Sequence, residues 1–317
     1  MPNTIGYTVF SPPSAHATIV LNEGVGWPGS TIHSRSAQAG IAHVGWFWHS
    51  STVTLHDRAF EGTPPASASR FSDRVEAYRN TRPGYPPSLV AWLDATFGLA
   101  DGQAIADVGA GTGIFSLQLQ ARGAEVIAVE PNPQMRAALE VQVAAEQRVP
   151  TLHVRGGTAE ATGMPDASAD GVTAAQAFHW FDPEAFAGEC RRVLRPRGWA
   201  ATIWNNRRVS GSPFLEAYEA FVRQWGTDYA RVGASYANVE HLAVLFGEVP
   251  TPALFENAQT LDRTGLLARL ESSSYMPGAD HLNYAPMREA AAQMFDAHAE
   301  GGLVELRYEA VAYASRL

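Results

Sequence analysis

The segment "IADVGAGTGIF" (105–115) places three glycines at alternate positions after an apolar run that contains an aspartate. Asp107 is followed by Gly109, Gly111 and Gly113. Glycine has no side chain and adopts left-handed backbone conformations at little cost, so a ligand can lie directly against such a loop. A plain tight turn needs fewer glycines than this segment has. The spacing therefore predicts a ligand site.

Two common phosphate-binding loops do not match the segment. A P-loop requires a lysine after its last glycine, and the chain contains no lysine. A dinucleotide fingerprint requires a third glycine where the sequence has Ile114, counted from Gly109, or Ser116, counted from Gly111. The loop therefore favours a ligand that needs close approach to the backbone rather than a cradle for phosphate groups.

A second acidic residue, Glu130, ends the apolar segment that follows the loop. A carboxylate at the end of the second strand can accept hydrogen bonds from both hydroxyls of a ribose. Dehydrogenases and methyltransferases both use an acid in this way, so Glu130 alone does not distinguish them. An acid at the end of a strand can also simply be solvated.

The surrounding sequence predicts alternating strands and helices that would hold these residues. Asn132 and Asp182 are each followed by proline, which is typical of the first residues of a helix. Gly123 is placed to end the helix after the glycine loop. Continuous apolar strands separated by helices indicate a parallel sheet covered on both faces, and hence a doubly wound α/β fold. The predicted strands are 103–108, 124–130, 151–157, 170–176 and 199–204.

Three regions are predicted along the chain. Residues 70–204 form the ligand-binding α/β core, and residues 205–317 add two late strands that complete a mostly parallel seven-stranded sheet. The helices that precede and separate those strands are expected to form a lid over its C-terminal edge, where ligands of open α/β sheets bind. Residues 1–69 hold only five charged residues and no periodic pattern. They are predicted to be a poorly ordered extension, or to lie upstream of the true translation start.

Composition excludes several classes of protein. The net charge is −9, all 23 basic residues are arginine, and no basic run exceeds two residues, which disfavours nucleic acid as a partner. No apolar run approaches the roughly 20 residues that span a bilayer, and no secretory signal begins the chain. The histidines of "HVGWFWHS" (43–50) lack a carboxylate or thiol at ligand spacing, so no metal is expected. A single cysteine, Cys190, is compatible with the reducing cytoplasm, where we expect the protein. The oligomeric state is left open.

The pattern Asp107-x-Gly109-x-Gly111-x-Gly113 resembles the first motif of class I S-adenosylmethionine-dependent methyltransferases. The resemblance extends over roughly residues 70–317 and implies a Rossmann-like methyltransferase fold. It implies that the glycine backbone packs against the amino-acid part of S-adenosylmethionine and that Asp107 acts on the ammonium side through water. Glu130 would bind the ribose. The segment "AYRNTRPGYP" is similar to a narrower subset that includes trans-aconitate-type methyltransferases.

The sequence departs from this family after the third predicted strand. Family members commonly carry an aspartate there that contacts the adenine amine, and this chain has Thr158. The Thr158 hydroxyl or the Ala159 backbone would take over that contact. Gln176, at the end of the fourth predicted strand, is also expected in the cofactor site. The usual Pro-Gly-Gly turn before the fifth strand is changed to Pro-Arg-Gly (196–198).

The methyl acceptor is expected beside "AQAFHWFD" (175–182). The Asn/Asp-Pro-Pro-Tyr sequence that is typical of amine methylation is absent there, which favours an oxygen or carbon acceptor on a small molecule, such as a carboxylic acid. His179 is the candidate general base, because its ordinary pKa is near neutrality. Its ring could equally well shape the pocket without moving a proton, and an ionised carboxylate acceptor needs no base. The candidate acceptor-binding residues are Tyr78, Arg82, Trp180 and Tyr275.

Two other functions remain as alternatives. A cofactor-binding protein without turnover would keep the glycine loop, because an intact loop indicates binding and not catalysis. An NAD(P)-dependent oxidoreductase is disfavoured by Ile114 and Ser116.

Overall fold

Seven strands form a single sheet in the computed structural model, which describes residues 81–99, 102–145, 152–227, 229 and 238–317. The strands are β1 (Ala104–Val108), β2 (Glu125–Val129), β3 (Leu152–Arg155), β4 (Ala169–Ala175), β5 (Leu194–Arg207), β6 (Ala253–Leu261) and β7 (Val304–Arg316). The helices are α1 (Pro87–Phe97), α2 (Ile114–Ala121), α3 (Pro133–Ala145), α4 (Pro183–Val193), α5 (Pro213–Trp225), α6 (Val239–Phe246), α7 (Arg263–Glu271) and α8 (Tyr284–His298).

The strand order is β3-β2-β1-β4-β5-β7-β6. The first five strands are parallel, whereas β7 runs antiparallel to both β5 and β6. The order reverses between β1 and β4, and the carboxyl ends at such a point are where open α/β sheets bind ligands. The predicted doubly wound, mostly parallel seven-stranded sheet is confirmed.

Helices cover both faces of the sheet. On one face, α1, α2 and α3 contribute Leu89, Leu119 and Leu139 to an apolar cluster with β1, β2 and β5. On the other face, α4 packs Phe186 and Cys190 against β1, β4 and β5. Burial raises the pKa of the Cys190 thiol, so this cysteine stays protonated and acts as a small apolar core residue.

Two helix starts form as the sequence predicts. The Asn132 side chain accepts hydrogen bonds from the amides of Gln134 and Met135 at the start of α3. Asp182 does the same for Glu184 and Ala185 at the start of α4. These contacts satisfy amides that have no partner within the helix, so they fix the points at which the chain leaves the ligand-binding edge of the sheet.

The structure differs from the sequence-based expectation in two elements. Strand β5 begins at Leu194 rather than 199, because Leu194 pairs with Ala169 of β4 before a register irregularity. Helix α6 does not take part in a lid: its Leu242 and Leu245 lie in the apolar cluster of α4, on a face of the sheet. Helices α5, α7 and α8 instead pack together around the end of β6 and the start of β7.

Some predictions concern residues outside the described ranges. They are the extension at 1–69, Tyr78, and the end of the helix that follows Asn132. The division at residues 69 and 204 stays a prediction. No helix in the described part of the chain is both long and apolar enough to cross a membrane.

Candidate functional site

A cavity of about 590 Å³ opens at the carboxyl ends of the parallel strands. The residues that follow the first four parallel strands line this cavity. The glycine loop follows β1, Glu130 follows β2, Thr158 follows β3 and Gln176 follows β4. Asn205, near the end of β5, also lines it. The size suits a ligand the size of a nucleoside, since small-molecule sites range over about 300–1,000 Å³.

The glycine loop is held in a left-handed conformation against the end of β2. The φ angles of Gly109, Gly111 and Gly113 are 70°, 58° and 82°. The amides of Gly109 and Ala110 both donate to the carbonyl of Val129, at 2.8 and 3.1 Å. A residue with a side chain is strained in this region of φ, so the loop conformation itself requires glycine at these positions.

Only some of these glycines face the cavity. Gly109 and Gly111 line it and Gly113 does not. A Cβ built on Gly113 would lie 2.1 Å from Cδ1 of Leu139, whereas one on Gly111 would meet nothing closer than the Met135 sulfur at 3.8 Å. Gly113 therefore serves the packing of α2 on α3, and Gly111 is the position at which a ligand can touch backbone.

Glu130 binds the glycine loop directly. Its Oε2 accepts from the Gly111 amide at 2.8 Å and its Oε1 from the Asn132 amide at 2.9 Å. Burial raises the pKa of Glu130 above its usual value, and these two amides and the charge of Arg136 oppose that shift. Each carboxylate oxygen keeps acceptor capacity beyond one amide, so Glu130 can fix the loop and bind ribose hydroxyls together.

Asp107 is buried beneath the loop at the end of β1. Its oxygens accept hydrogen bonds from the hydroxyls of Ser116 and Thr173. Burial raises the pKa of Asp107 to about 6, with the two hydroxyls opposing the shift and Glu130 adding to it. A cation bound nearby would favour the ionised form. The side chain lines the cavity, in agreement with a role on the cationic side of a ligand.

Gln176 shows two signs of a ligand-binding role. Its φ of 55° is unusual for a residue other than glycine. Its Nε2 donates to the carbonyl of Asn205 at 3.2 Å, while its buried Oε1 has no hydrogen-bond partner among the described residues. A strained residue with an unsatisfied buried acceptor in a cavity is suited to receive a donor such as an ammonium group.

The segment after β3 supplies a polar wall at Thr158, Ala159 and Glu160. The Thr158 hydroxyl accepts from the Ala161 amide at 3.2 Å, which leaves its own hydrogen available to a ligand. Glu160, which the sequence-based prediction did not include, accepts from the Asp182 amide at 3.2 Å. A carboxylate thus lies in this wall even though the usual aspartate is absent.

His179 lies in a short 3-10 turn (Phe178–Trp180) and lines the cavity. The indole N–H of Trp204, which can only donate, points at its Nδ1 from 3.4 Å. This contact favours the tautomer with hydrogen on Nε2. Burial lowers the pKa of His179 to about 4. The ring is therefore neutral at pH 7 and is a weak proton acceptor, which argues against the predicted general base and for a donor role.

Three of the predicted acceptor-binding residues line the cavity. They are Arg82, Trp180 and Tyr275. Arg82 donates to the carbonyl of Ser272 at 3.3 Å, which connects the segment before α1 to the segment after α7. The fourth, Tyr78, lies outside the described residues.

Further polar residues of the cavity have no motif in the sequence. Arg207 and Tyr308 are register partners on β5 and β7, Arg269 lies near the end of α7, and Tyr229 donates its hydroxyl to Glu219 at 2.8 Å. All four line the cavity. They are far apart along the chain, so no spacing rule could have found them. The described residues contain no group of three potential metal ligands.

The fold and the site together are those of a Rossmann-like domain with a ligand cavity at the carboxyl ends of its parallel strands. Residues 106–202 match the family model of a methyltransferase domain. This match agrees with the resemblance of the sequence motif to class I methyltransferases.

Relatives and solved structures agree with this assignment. An uncharacterized methyltransferase of Mycobacterium tuberculosis is 42% identical over 137 residues, which is 43% of this chain and 52% of that protein. One from Schizosaccharomyces pombe is 35% identical over 147 residues, covering 46% and 56%. The structure of a proposed type II methyltransferase from Anaeromyxobacter dehalogenans has a TM-score of 0.52 at 26% identity, covering 74% of this chain and 97% of that one. The chain spans about half the length of the curated relatives it matches.

Proposed function

We propose that this protein transfers the methyl group of S-adenosylmethionine to an oxygen atom of a small-molecule acceptor. The observation that carries the proposal is the open face of Gly111, whose amide is bound by the Glu130 carboxylate at 2.8 Å. A ligand that lies against Gly111 would have beside it an acidic group that suits ribose hydroxyls.

The charges around the loop suit this cofactor. S-adenosylmethionine carries an ammonium and a sulfonium and no phosphate, and the nearby ionisable groups Asp107 and Glu130 are acids. The unsatisfied Oε1 of Gln176 is a further acceptor for the ammonium. Thr158 and Glu160 offer a hydroxyl and a carboxylate to the adenine.

The bound cofactor would supply an electrophilic methyl group. The acceptor oxygen would provide the electron pair of the new C–O bond, and the cofactor would leave as a neutral thioether that keeps the pair of the C–S bond. The protein must align the acceptor and exclude water. The neutral His179 and the aromatic ring of Trp180 form the wall beside the end of β4, where they can orient the acceptor by a hydrogen bond and by contact.

The state of His179 favours an acceptor that is already ionised. A hydroxyl or carbon acceptor has to lose a proton, and a histidine whose pKa is lowered to about 4 removes it poorly. A carboxylate loses no proton and becomes a methyl ester. We therefore prefer a carboxylic acid to the hydroxyl and carbon alternatives. The acidic composition of the chain separately favours a small molecule over nucleic acid as the acceptor.

The proposal is tested first by ligand-dependent thermal stability. S-adenosylmethionine and S-adenosylhomocysteine should raise the melting temperature, because a ligand at a hundred times its dissociation constant stabilises by about 2.7 kcal/mol. NAD and NADP should not. Stabilisation by a nicotinamide cofactor alone would refute the proposal.

Transfer itself is tested with methyl-labelled cofactor and a panel of carboxylic acids, phenols and amines. Labelled methyl esters, released as methanol by mild base, are the expected product. If the cofactor binds but no acceptor in the panel or in cell extract is labelled, the protein binds the cofactor without turnover and the proposed activity is wrong.

A further inference from the structure

One wall of the cavity carries a buried positive charge that no carboxylate of the described residues balances. Arg269, near the end of α7, is 5% exposed. Its Nη1 donates to the Ser273 hydroxyl at 3.0 Å, and a further hydrogen bond joins it to Tyr308. Its Nε is buried and has no hydrogen-bond partner within that part of the chain.

The other arginine deep in this wall is paired differently. Arg207 contacts the Glu219 carboxylate and donates to the Tyr229 hydroxyl at 2.9 Å. Glu219 also pairs with Arg223 at 2.7 Å, so its charge is already shared. Within the described ranges, no acidic side chain lies within 4.0 Å of Arg269.

Tyr275 shows that this wall has a positive potential. Burial acts to raise the pKa of its hydroxyl, yet the charges of Arg269 and Arg82, a hydrogen bond with Ser273 and the charge of Arg207 together outweigh burial and hold the pKa below its usual value. Tyr275 and these three arginines all line the cavity. A negatively charged ligand group would therefore be attracted to this wall.

A buried charge without a partner is costly, and such groups in proteins are normally paired. A guanidinium presents several N–H donors in a plane that matches the two oxygens of a carboxylate. Arg269 lines the cavity and is surrounded by the hydroxyls of serine and tyrosine rather than by acids.

We infer that Arg269, with Tyr275 beside it, is the subsite that binds a carboxylate of the methyl acceptor. The inference rests on the proposed function and narrows it to acceptors that carry a carboxylate. Arg269 thus selects and positions the acceptor, and Arg207, held by Glu219, adds to the attraction without needing to contact the ligand.

The test measures binding of simple acids to the protein saturated with S-adenosylhomocysteine. Malonate and benzoate are titrated by calorimetry, with malonamide and benzamide as their uncharged counterparts. At least one acid should bind, and its amide should bind at least about thirty-fold more weakly, which is about 2 kcal/mol. If no acid binds while S-adenosylhomocysteine binds normally, the inference is wrong and the proposed function still stands.

Variants assign the binding to this wall. Arg269→Gln should lower the acid affinity at least about thirty-fold, and Tyr275→Phe, which removes one hydroxyl, by about three- to tenfold. The matched control is Arg263→Gln on the same helix, because Arg263 is exposed and pairs with Asp296 at 3.0 Å away from the cavity lining. It should bind the acid as the wild type does.

Arg269→Gln could also lose the cofactor or fail to fold. If it loses S-adenosylhomocysteine rather than the acid, Arg269 binds the carboxylate of the cofactor and the inference is overturned. If it does not fold, Arg269→Lys is measured instead. This variant keeps the charge but loses the planar donors, and it should still bind the acid more weakly than the wild type does. Unchanged acid affinity in both Arg269→Lys and Tyr275→Phe would refute the subsite.

Discussion

The loop glycines provide a direct test of which of them faces a ligand. We compare Gly111→Ala with Gly113→Ala, since the same methyl group enters two different surroundings. At Gly111 the added Cβ meets nothing closer than 3.8 Å, and at Gly113 it would lie 2.1 Å from Leu139. Both residues have positive φ, at 58° and 82°, so both variants carry the strain of a left-handed alanine.

The magnitudes follow from these surroundings. Left-handed strain costs about 1–2 kcal/mol at either position. Gly113→Ala adds the overpacking of Leu139, which costs about 1–3 kcal/mol more. A loss of 1 kcal/mol lowers the melting temperature of a domain of this size by about 2–4 °C. Gly111→Ala should therefore lower it by about 2–8 °C and Gly113→Ala by about 4–20 °C.

Cofactor affinity should change in the opposite order. Calorimetry with S-adenosylhomocysteine should show at least about tenfold weaker binding for Gly111→Ala, or about 1.4 kcal/mol, because the methyl group occupies the space where the ligand touches backbone. Folded Gly113→Ala should bind within about threefold of the wild type. Normal binding by Gly111→Ala would show that no ligand presses on this loop, and the cofactor site would have to lie elsewhere.

Three further predictions concern the acids and the histidine of the site. Glu130→Ala should weaken cofactor binding by about 1.5–3 kcal/mol, the usual loss for hydrogen bonds to a charged group, and an unchanged dissociation constant in calorimetry would contradict the ribose contact. Burial raises the pKa of Asp107 to about 6, so its charged form is lost as the pH falls through 6. The affinity for the cationic S-adenosylmethionine should then fall by up to about tenfold per pH unit. Asp107→Asn should abolish that pH dependence. His179, with a pKa lowered to about 4, should produce no decline in the methyl-transfer rate between pH 7 and 5 when S-adenosylmethionine is saturating. His179→Ala should reduce turnover less than the roughly 10²–10⁴-fold of a lost general base. A loss in that range, together with a decline near pH 6.5 at saturating cofactor, would restore the base assignment.

The pH dependence of folding gives Asp107 a second readout. Its folded pKa lies above the ordinary value of 3.8, so folding favours the protonated acid. The resulting stability is present below about pH 4 and is lost as the pH rises through about 6. Cofactor binding has the opposite preference, since the cation favours the ionised acid, and the two effects can be separated by melting the protein with and without ligand.

Local sequence determines the fold and the side of the cavity that the glycine loop forms. Alternating apolar strands and capped helices specify a parallel sheet, because each strand needs a helix on either face to bury it. The residues that follow those strands meet at one edge by topology alone, which is why Gly109, Gly111, Glu130, Thr158 and Gln176 could be named from the sequence and all line the cavity. Their chemistry is set within a few residues of each strand end.

Tertiary structure alone decides the arginine-containing wall of the cavity and the state of individual groups. Arg207 and Tyr308 are neighbours because β7 pairs antiparallel with β5. Arg269 joins them from α7 through a hydrogen bond to Tyr308, and no local pattern encodes either contact. Gly113 is in the same motif as Gly111, yet Leu139 of another helix makes it a packing position. His179 looks like a base in the sequence, and burial beside Trp204 lowers its pKa to about 4. The sequence sets which groups are present, whereas long-range packing sets their neighbours, and the neighbours fix charge, tautomer and access to the ligand.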